Sequence, residues 1–152
     1  MDSQAPAYLK ELVAKGWGTR LTNLFLQHLQ KREASADAAS ACAFALETVA
    51  VNEQSCTEIS SLGCIESTLA ALQQINMMSN VVFVRRMGGL LAALARSDKN
   101  KELIAHGIPT YSTAMIKHAT EHTVQKSLLT TMTAICLRQP EIADQIVREK
   151  GT

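Results

Sequence analysis

Aromatic residues are nearly missing from this 152-residue chain: three Phe, two Tyr and one Trp make up 4% of it. A core here has to be assembled from Leu, Ile, Val, Ala and Met. Excess charge is missing as well. Fifteen Lys and Arg face fourteen Asp and Glu, a formal net charge of +1 with both signs scattered, so the sequence lacks the basic stripe that marks a nucleic-acid binder. No apolar run approaches the length that spans a bilayer. The opening residues, MDSQAPAYLKEL, have neither the basic start nor the apolar stretch of a secretory signal. The four cysteines, Cys42, Cys56, Cys64 and Cys136, stand apart on apolar helical faces. They read as buried reduced thiols, and the expected location is cytoplasmic. No stretch alternates with period two, so strands are not expected. The remainder, 47% hydrophobic and 19% charged, fits one globular unit, 1–152, long enough to bury a core.

What is present is a repeated turn. An acidic or polar residue, an apolar pair and a glycine recur as KELVAKG (10–16), TEISSLG (57–63), KELIAHG (101–107) and QIVREKG (145–151). The last three glycines are evenly spaced (151 − 107 = 107 − 63 = 44), and Gly16 precedes Gly63 by 63 − 16 = 47. The three extra residues fit in the polar stretch QKREASAD, 30–37. A period in the forties points to stacked helical units, each too small to bury its apolar face alone. Each unit reads as a short helix stopped by the glycine, a middle helix and a long one. Before Gly107, Ser97 or Asp98 caps a helix whose apolar face is Leu103 and Ile104, and the glycine supplies a left-handed stop. Pro109 suits the first turn of the next helix. Ile65, Leu69 and Leu72 give the equivalent helix of the previous unit an i, i+4, i+7 face. Long helices are expected over 37–51 (Ala39, Leu46, Val49), 81–95 and 122–138 (Val124, Leu128, Ile135).

This pattern resembles the armadillo repeat, best in NEQSCTEISSLGCIESTLAAL (52–72), SDKNKELIAHGIPTYSTAMI (97–116) and QPEIADQIVREKGT (139–152). HEAT repeats are the nearest alternative, but they have two helices per unit and no fixed glycine between a short first helix and a second. The resemblance implies an all-α, right-handed α-α superhelix of about three and a half repeats: 8–51, 52–96, 97–138 and a partial 139–152. Ile142, Ile146 and Val147 would end the array without a polar cap, which favours a fragment of a longer array.

Chemistry is weakly signalled. His118 and His122 in HATEH have a metal-like i, i+4 spacing, but a helix end near Ala119 and a start near His122 would put a loop between them, and no third ligand stands nearby. The cysteines have no histidine neighbour and no redox spacing. RRMGGLL (85–91) lacks the Lys-Ser/Thr pair and the glycine spacing of a phosphate loop. No enzyme, cofactor or metal is expected.

In the armadillo family the long third helices line the concave face, and the nuclear import adaptors and catenins carry asparagines there, often with a tryptophan one turn earlier. The matching positions here are Thr48 or Glu47, Ala92 or Leu91, and Cys136 or Ile135, and none is asparagine. One turn earlier stand Phe44, Gly88 and Met132, and none is tryptophan. The resemblance thus implies the fold without its peptide clamps. Thr48, Ala92 and Cys136 mark the expected concave face, and Arg85 and Arg86 are the candidate partner-binding charges, because a guanidinium fork suits planar oxyanions. The alternative for both is a solvated arginine and one packed by its stem. Met77, Met78, Met115 and Met132 read as core filler, and Tyr8 and Trp17 as seals on the first repeat. The expected function is a non-enzymatic scaffold that binds another protein or an extended peptide segment. The alternatives are a structural section of a larger assembly, such as a ciliary or cytoskeletal one, or the substrate arm of a ubiquitin ligase. Neither nucleic acid nor membrane is an expected partner.

Overall fold

The structure, a computed structural model, describes residues 7–30, 35–137 and 139–151. The expected three-residue insertion in 30–37 falls partly on residues 31–34, outside the described residues, as do residues 1–6. Among the described residues every regular element is a helix. Three times over, a short helix of 8 or 9 residues is followed by a second helix and then by one of 14 or 15. These are α1 (Ala7–Ala14), α2 (Trp17–Gln30) and α3 (Ala36–Val49); α4 (Glu53–Ser61), α5 (Cys64–Leu72) and α7 (Val81–Leu94); and α8 (Asp98–Ala105), α9 (Ile108–Lys117) and α10 (His122–Cys136). A four-residue helix, α6 (Ile75–Met78), is inserted in the second triple, and α11 (Pro140–Gly151) follows the third. The long helices sit where the apolar spacing puts them. The turn α6 was not expected.

Local sequence explains the boundaries. Asn52 caps α4 through a reciprocal capping box, its Oδ1 accepting from the Ser55 amide at 2.9 Å while the Ser55 hydroxyl lies 3.2 Å from the Asn52 amide, an arrangement that satisfies two orphan donors at once. Asn80 and Ser35 cap α7 and α3 by the same kind of bond to the Phe83 and Ala38 amides. Ser97 occupies the cap position of α8 but makes no side-chain capping bond; its hydroxyl instead accepts from Thr57 at 3.2 Å. Pro109 lies in the first turn of α9, where its missing N–H costs nothing.

The recurring glycines fall into two kinds. Gly16 and Gly63 have φ of +82° and +89°, the left-handed corner that only glycine adopts without penalty. Gly107 departs from expectation, with a φ of −87°. It is tied to glycine by crowding, since a Cβ there would lie 2.5 Å from Leu69 Cδ2 and 2.6 Å from Tyr111 Cζ. Gly151 is the last residue of α11 rather than a corner beyond it.

Each triple packs on its sequence neighbours. α7 lies between α3 and α10; α2 packs on α1, α3, α4 and α5, and α10 on α7, α8, α9 and α11. The largest fully buried side chains are the aromatics Tyr111, Phe25 and Phe83, and aliphatic residues make up most of the rest of the core. Phe25, Leu46, Ile59, Ile65, Leu72, Phe83, Leu90, Leu94, Val124, Leu128 and Ile135 are buried along its length, with Met77, Met78, Met87 and Met132 filling the gaps between. Polar bonds join equivalent positions of successive triples. Asn100, 2% exposed, donates Nδ2 to the Leu94 oxygen at 2.9 Å and to the Cys56 oxygen, 44 residues away, at 3.3 Å. Within the third triple, Lys101, also buried, donates to Leu137 O at the end of α10 and pairs with Asp98, both at 2.8 Å. Tyr8 and Trp17 do not act as the expected seals. Tyr8 is 64% exposed, and Trp17 is 38% exposed with the Arg20 guanidinium 5.3 Å from its ring centre.

Candidate functional site

The three long helices share an open groove of about 700 Å³. Its floor is a stripe of α7, where Arg85, Gly89 and Ala92 recur at intervals of four and three and so lie on one helical face, with Arg96 in the turn just beyond the helix. Arg86 and Ala93 widen that stripe. Glu47 of α3 forms one wall; Thr123, Lys126, Ser127 and Thr130 of α10 form the other. Small residues on the floor keep the groove deep. Gly89 has the Glu47 carboxylate directly over it, 3.0 Å from where a Cβ would stand.

Charge in the groove is one-sided. Arg85, Arg86, Arg96 and Lys126 line it against the single carboxylate of Glu47, although the whole chain is balanced at +1. The cations are held in different ways. Arg86 lies flat over the Phe44 ring, 4.2 Å from its centre, a stack that fixes a guanidinium without neutralising it. Arg96 is anchored by a bond from Nη1 to the Ala50 oxygen. Arg85 is half-buried, with Nε shut off from solvent and no acceptor for it among the described residues. Neither Arg85 nor Lys126 has an ion-pair partner among the described residues.

Of the positions expected from sequence, Arg85, Arg86 and Ala92 come together in this groove, and so does Glu47, offered as the alternative to Thr48. Thr48 itself does not line it; it is exposed and its hydroxyl donates to Phe44 O at 3.0 Å. Cys136 lies at the far end of α10, half-buried and away from Thr123–Thr130, with its thiol pushed up by burial. Phe44 does contribute, as the plate under Arg86, and explains why a large apolar side chain is 51% exposed. Sequence reading missed Arg96, Lys126 and the hydroxyl wall of α10. Arg96 carried no helical signal, because it lies in the turn beyond the end of α7. Lys126 carried none, because its place depends on how α10 crosses α7.

That crossing is set by Gly88. Ser127 donates its hydroxyl to Arg85 O, and Thr131 donates to Gly88 O, both at 2.7 Å and over separations of 42 and 43 residues. The glycine pair therefore serves two ends: Gly88 admits α10, and Gly89 admits the Glu47 carboxylate.

Other chemistry does not assemble. His118 is buried with Nε2 2.7 Å from Met78 O, and because a carbonyl only accepts, Nε2 carries the proton. His122 is exposed at the start of α10, so the two rings share no ligand position. Among the described residues no group of three His, Cys, Asp or Glu is placed to hold a metal, no helix is long and apolar enough to cross a membrane, and no cysteine forms a disulfide. Burial raises the Cys42 and Cys64 thiols, Cys64 to about 12, which makes them poor nucleophiles. No protein-family model, no curated protein and no solved structure matches the chain.

Proposed function

We propose that this chain is a non-enzymatic binding scaffold of the armadillo type, a right-handed superhelical array with units at about 8–51, 52–96, 97–138 and 139–152, which holds a segment of another protein along its third helices. One observation carries the reading: the open groove is built from α3, α7 and α10, the last helix of each successive triple. A shallow trough along stacked helices suits an extended chain better than a small substrate, which needs enclosure. A cytoplasmic protein partner fits the reduced, buried cysteines.

A peptide-display library of unstructured protein segments, panned against the chain, tests this. Enriched segments are expected to lose binding to an Arg85→Glu/Arg86→Glu variant of unchanged helicity and melting, and to keep it with Ile116→Ser, which alters a 78% exposed residue of α9. An unenriched library, or segments indifferent to the arginines, would refute the scaffold reading.

A second reading, a section of a larger assembly, is favoured by the apolar surface at the other end of α10. Leu129 and Leu137 are 43% and 61% exposed and line a shallow hollow with Ala134, and exposed apolar patches of this kind mark contact surfaces. Sedimentation across a concentration series separates the two: association abolished by Leu137→Asp and untouched by the arginine variants supports assembly.

A further inference from the structure

We propose that the groove over α7 recognises an acidic segment, an extended peptide presenting closely spaced Asp or Glu carboxylates, and that Glu47 weakens this binding. The inference rests on the scaffold reading and adds the chemistry of the partner. It starts from a concentration of charge. Four of the chain's fifteen Lys and Arg converge on one groove that contains one carboxylate. Arg85, Arg86 and Lys126 have no ion pair among the described residues, and like charges gathered in this way raise each other's cost, so a fold that holds them together leaves room for an anion from outside.

The arginines are also prepared for planar oxyanions. Arg86 has lost much of its freedom to the Phe44 ring, so less entropy remains to be lost when it pairs. Arg85 lines the groove with no ion-pair partner among the described residues, so its guanidinium is open to pairing with a carboxylate from outside. The two are adjacent in α7, Lys126 faces them from the wall of α10, and the short side chain of Ala92 on the same lining leaves space beside them.

A nucleic-acid strand fits less well. Its phosphates would run past the Glu47 carboxylate, and the chain's net charge of +1 offers no wider basic surface to track a backbone. A peptide can instead place an uncharged residue opposite Glu47 and its carboxylates opposite the arginines.

Three fluorescein-labelled twelve-residue probes test this by anisotropy at low and moderate salt. One alternates Glu with Ala and Leu, one replaces every Glu by Gln, and the third is a twelve-nucleotide single strand of thymidine. The acidic probe is expected to bind, with the Gln probe and the strand at least about tenfold weaker. Arg85→Gln/Arg86→Gln should weaken the acidic probe at least about tenfold, and Lys126→Gln by a few-fold. Glu47→Gln should strengthen it by a few-fold, an outcome that a misfolded variant does not produce. Binding of the strand as tight as the acidic probe, equal binding of the Gln probe, or no gain from Glu47→Gln overturns the proposal. Failure here combined with neutral or basic segments enriched from the display library leaves the scaffold standing and the acidic specificity wrong; an empty library removes both.

Discussion

The hydroxyl of Ser127 sits 2.7 Å from the main-chain oxygen of Arg85, and it does so because the residue three places on, Gly88, has no side chain. A Cβ at Gly88 would stand 2.2 Å from Ser127 Oγ and 3.3 Å from Leu128 Cδ2. Ordinary helix propensity favours alanine over glycine by about 1 kcal/mol, so packing alone keeps the glycine in mid-helix. Gly88→Ala is expected to destabilise the chain by about 1–3 kcal/mol despite that propensity. Adding Ser127→Gly, which removes both close atoms of residue 127, should recover part of the loss. Urea unfolding of the two variants measures it, and a stabilised Gly88→Ala would show that the helices do not cross here.

Gly63 and Gly107 occupy equivalent places in the sequence but should respond differently to substitution. At Gly63 the difficulty is a φ of +89° with no atom within 4 Å of a new Cβ. Gly63→Ala should cost about 1–2 kcal/mol, and Gly63→Asn less, since asparagine tolerates the left-handed region. At Gly107 the backbone is ordinary and the space is full. There asparagine should be worse than alanine, and trimming Leu69 to alanine should relieve Gly107→Ala. A matched pair of melting series distinguishes the two mechanisms by the order of Ala and Asn.

Asn100 joins two triples through a single amide group. Its replacement by alanine leaves the oxygens of Leu94 and Cys56 without that donor in a buried place, a loss of about 1–3 kcal/mol. Asn100→Asp should be worse than alanine at neutral pH, because it removes the donor and adds a buried charge facing two carbonyls. Thermal melts of the pair at pH 7 check the order.

Alkaline pH should unfold the chain earlier than its balanced charge suggests. Burial pushes the Cys64 thiol from 9.0 up to about 12, with the Thr68 hydrogen bond opposing and Glu66 adding to the rise. The unfolded thiol releases its proton near its ordinary value while the folded one keeps it, so the folded state binds more protons and stability falls as pH rises from about 9 toward 12. The slope from one such group is at most about 1.4 kcal/mol per pH unit. Tyr111, buried and raised for the same reason, adds to the fall in the upper part of that range. Cys64→Ala should flatten the pH dependence between 9 and 10.5 in urea titrations; an unchanged slope would mean the thiol is not shielded from water when folded.

The helices were legible because two simple codes agree. Apolar residues at helical spacing placed α3, α7 and α10 within two or three residues of where they stand, and the glycines at steps of 44 marked the units. What escaped was governed by partners distant in sequence. Gly107 stands one 44-residue step after Gly63 in the sequence, yet Leu69 and Tyr111 crowd it while nothing lies within 4 Å of a Cβ at Gly63. Counting back from the glycines located Glu47 and Ala92 in the groove but led past it on α10, to Cys136. The groove walls come from the first half of that helix, where Ser127 and Thr131 meet the backbone of α7. The helix α6 gave no signal because four residues are too few to show a period.

Trp17 is the chain's one tryptophan, and it stands on α2, whose packing partners are α1, α3, α4 and α5. Its emission therefore witnesses only the first part of the molecule, whereas far-ultraviolet ellipticity sums all the helices. In a chain whose elements touch mainly their sequence neighbours, the two signals have no obligation to melt together. The distance between the two melting curves is then a ruler for cooperativity: it reads how many helices a disturbance at one end carries with it before it dies out.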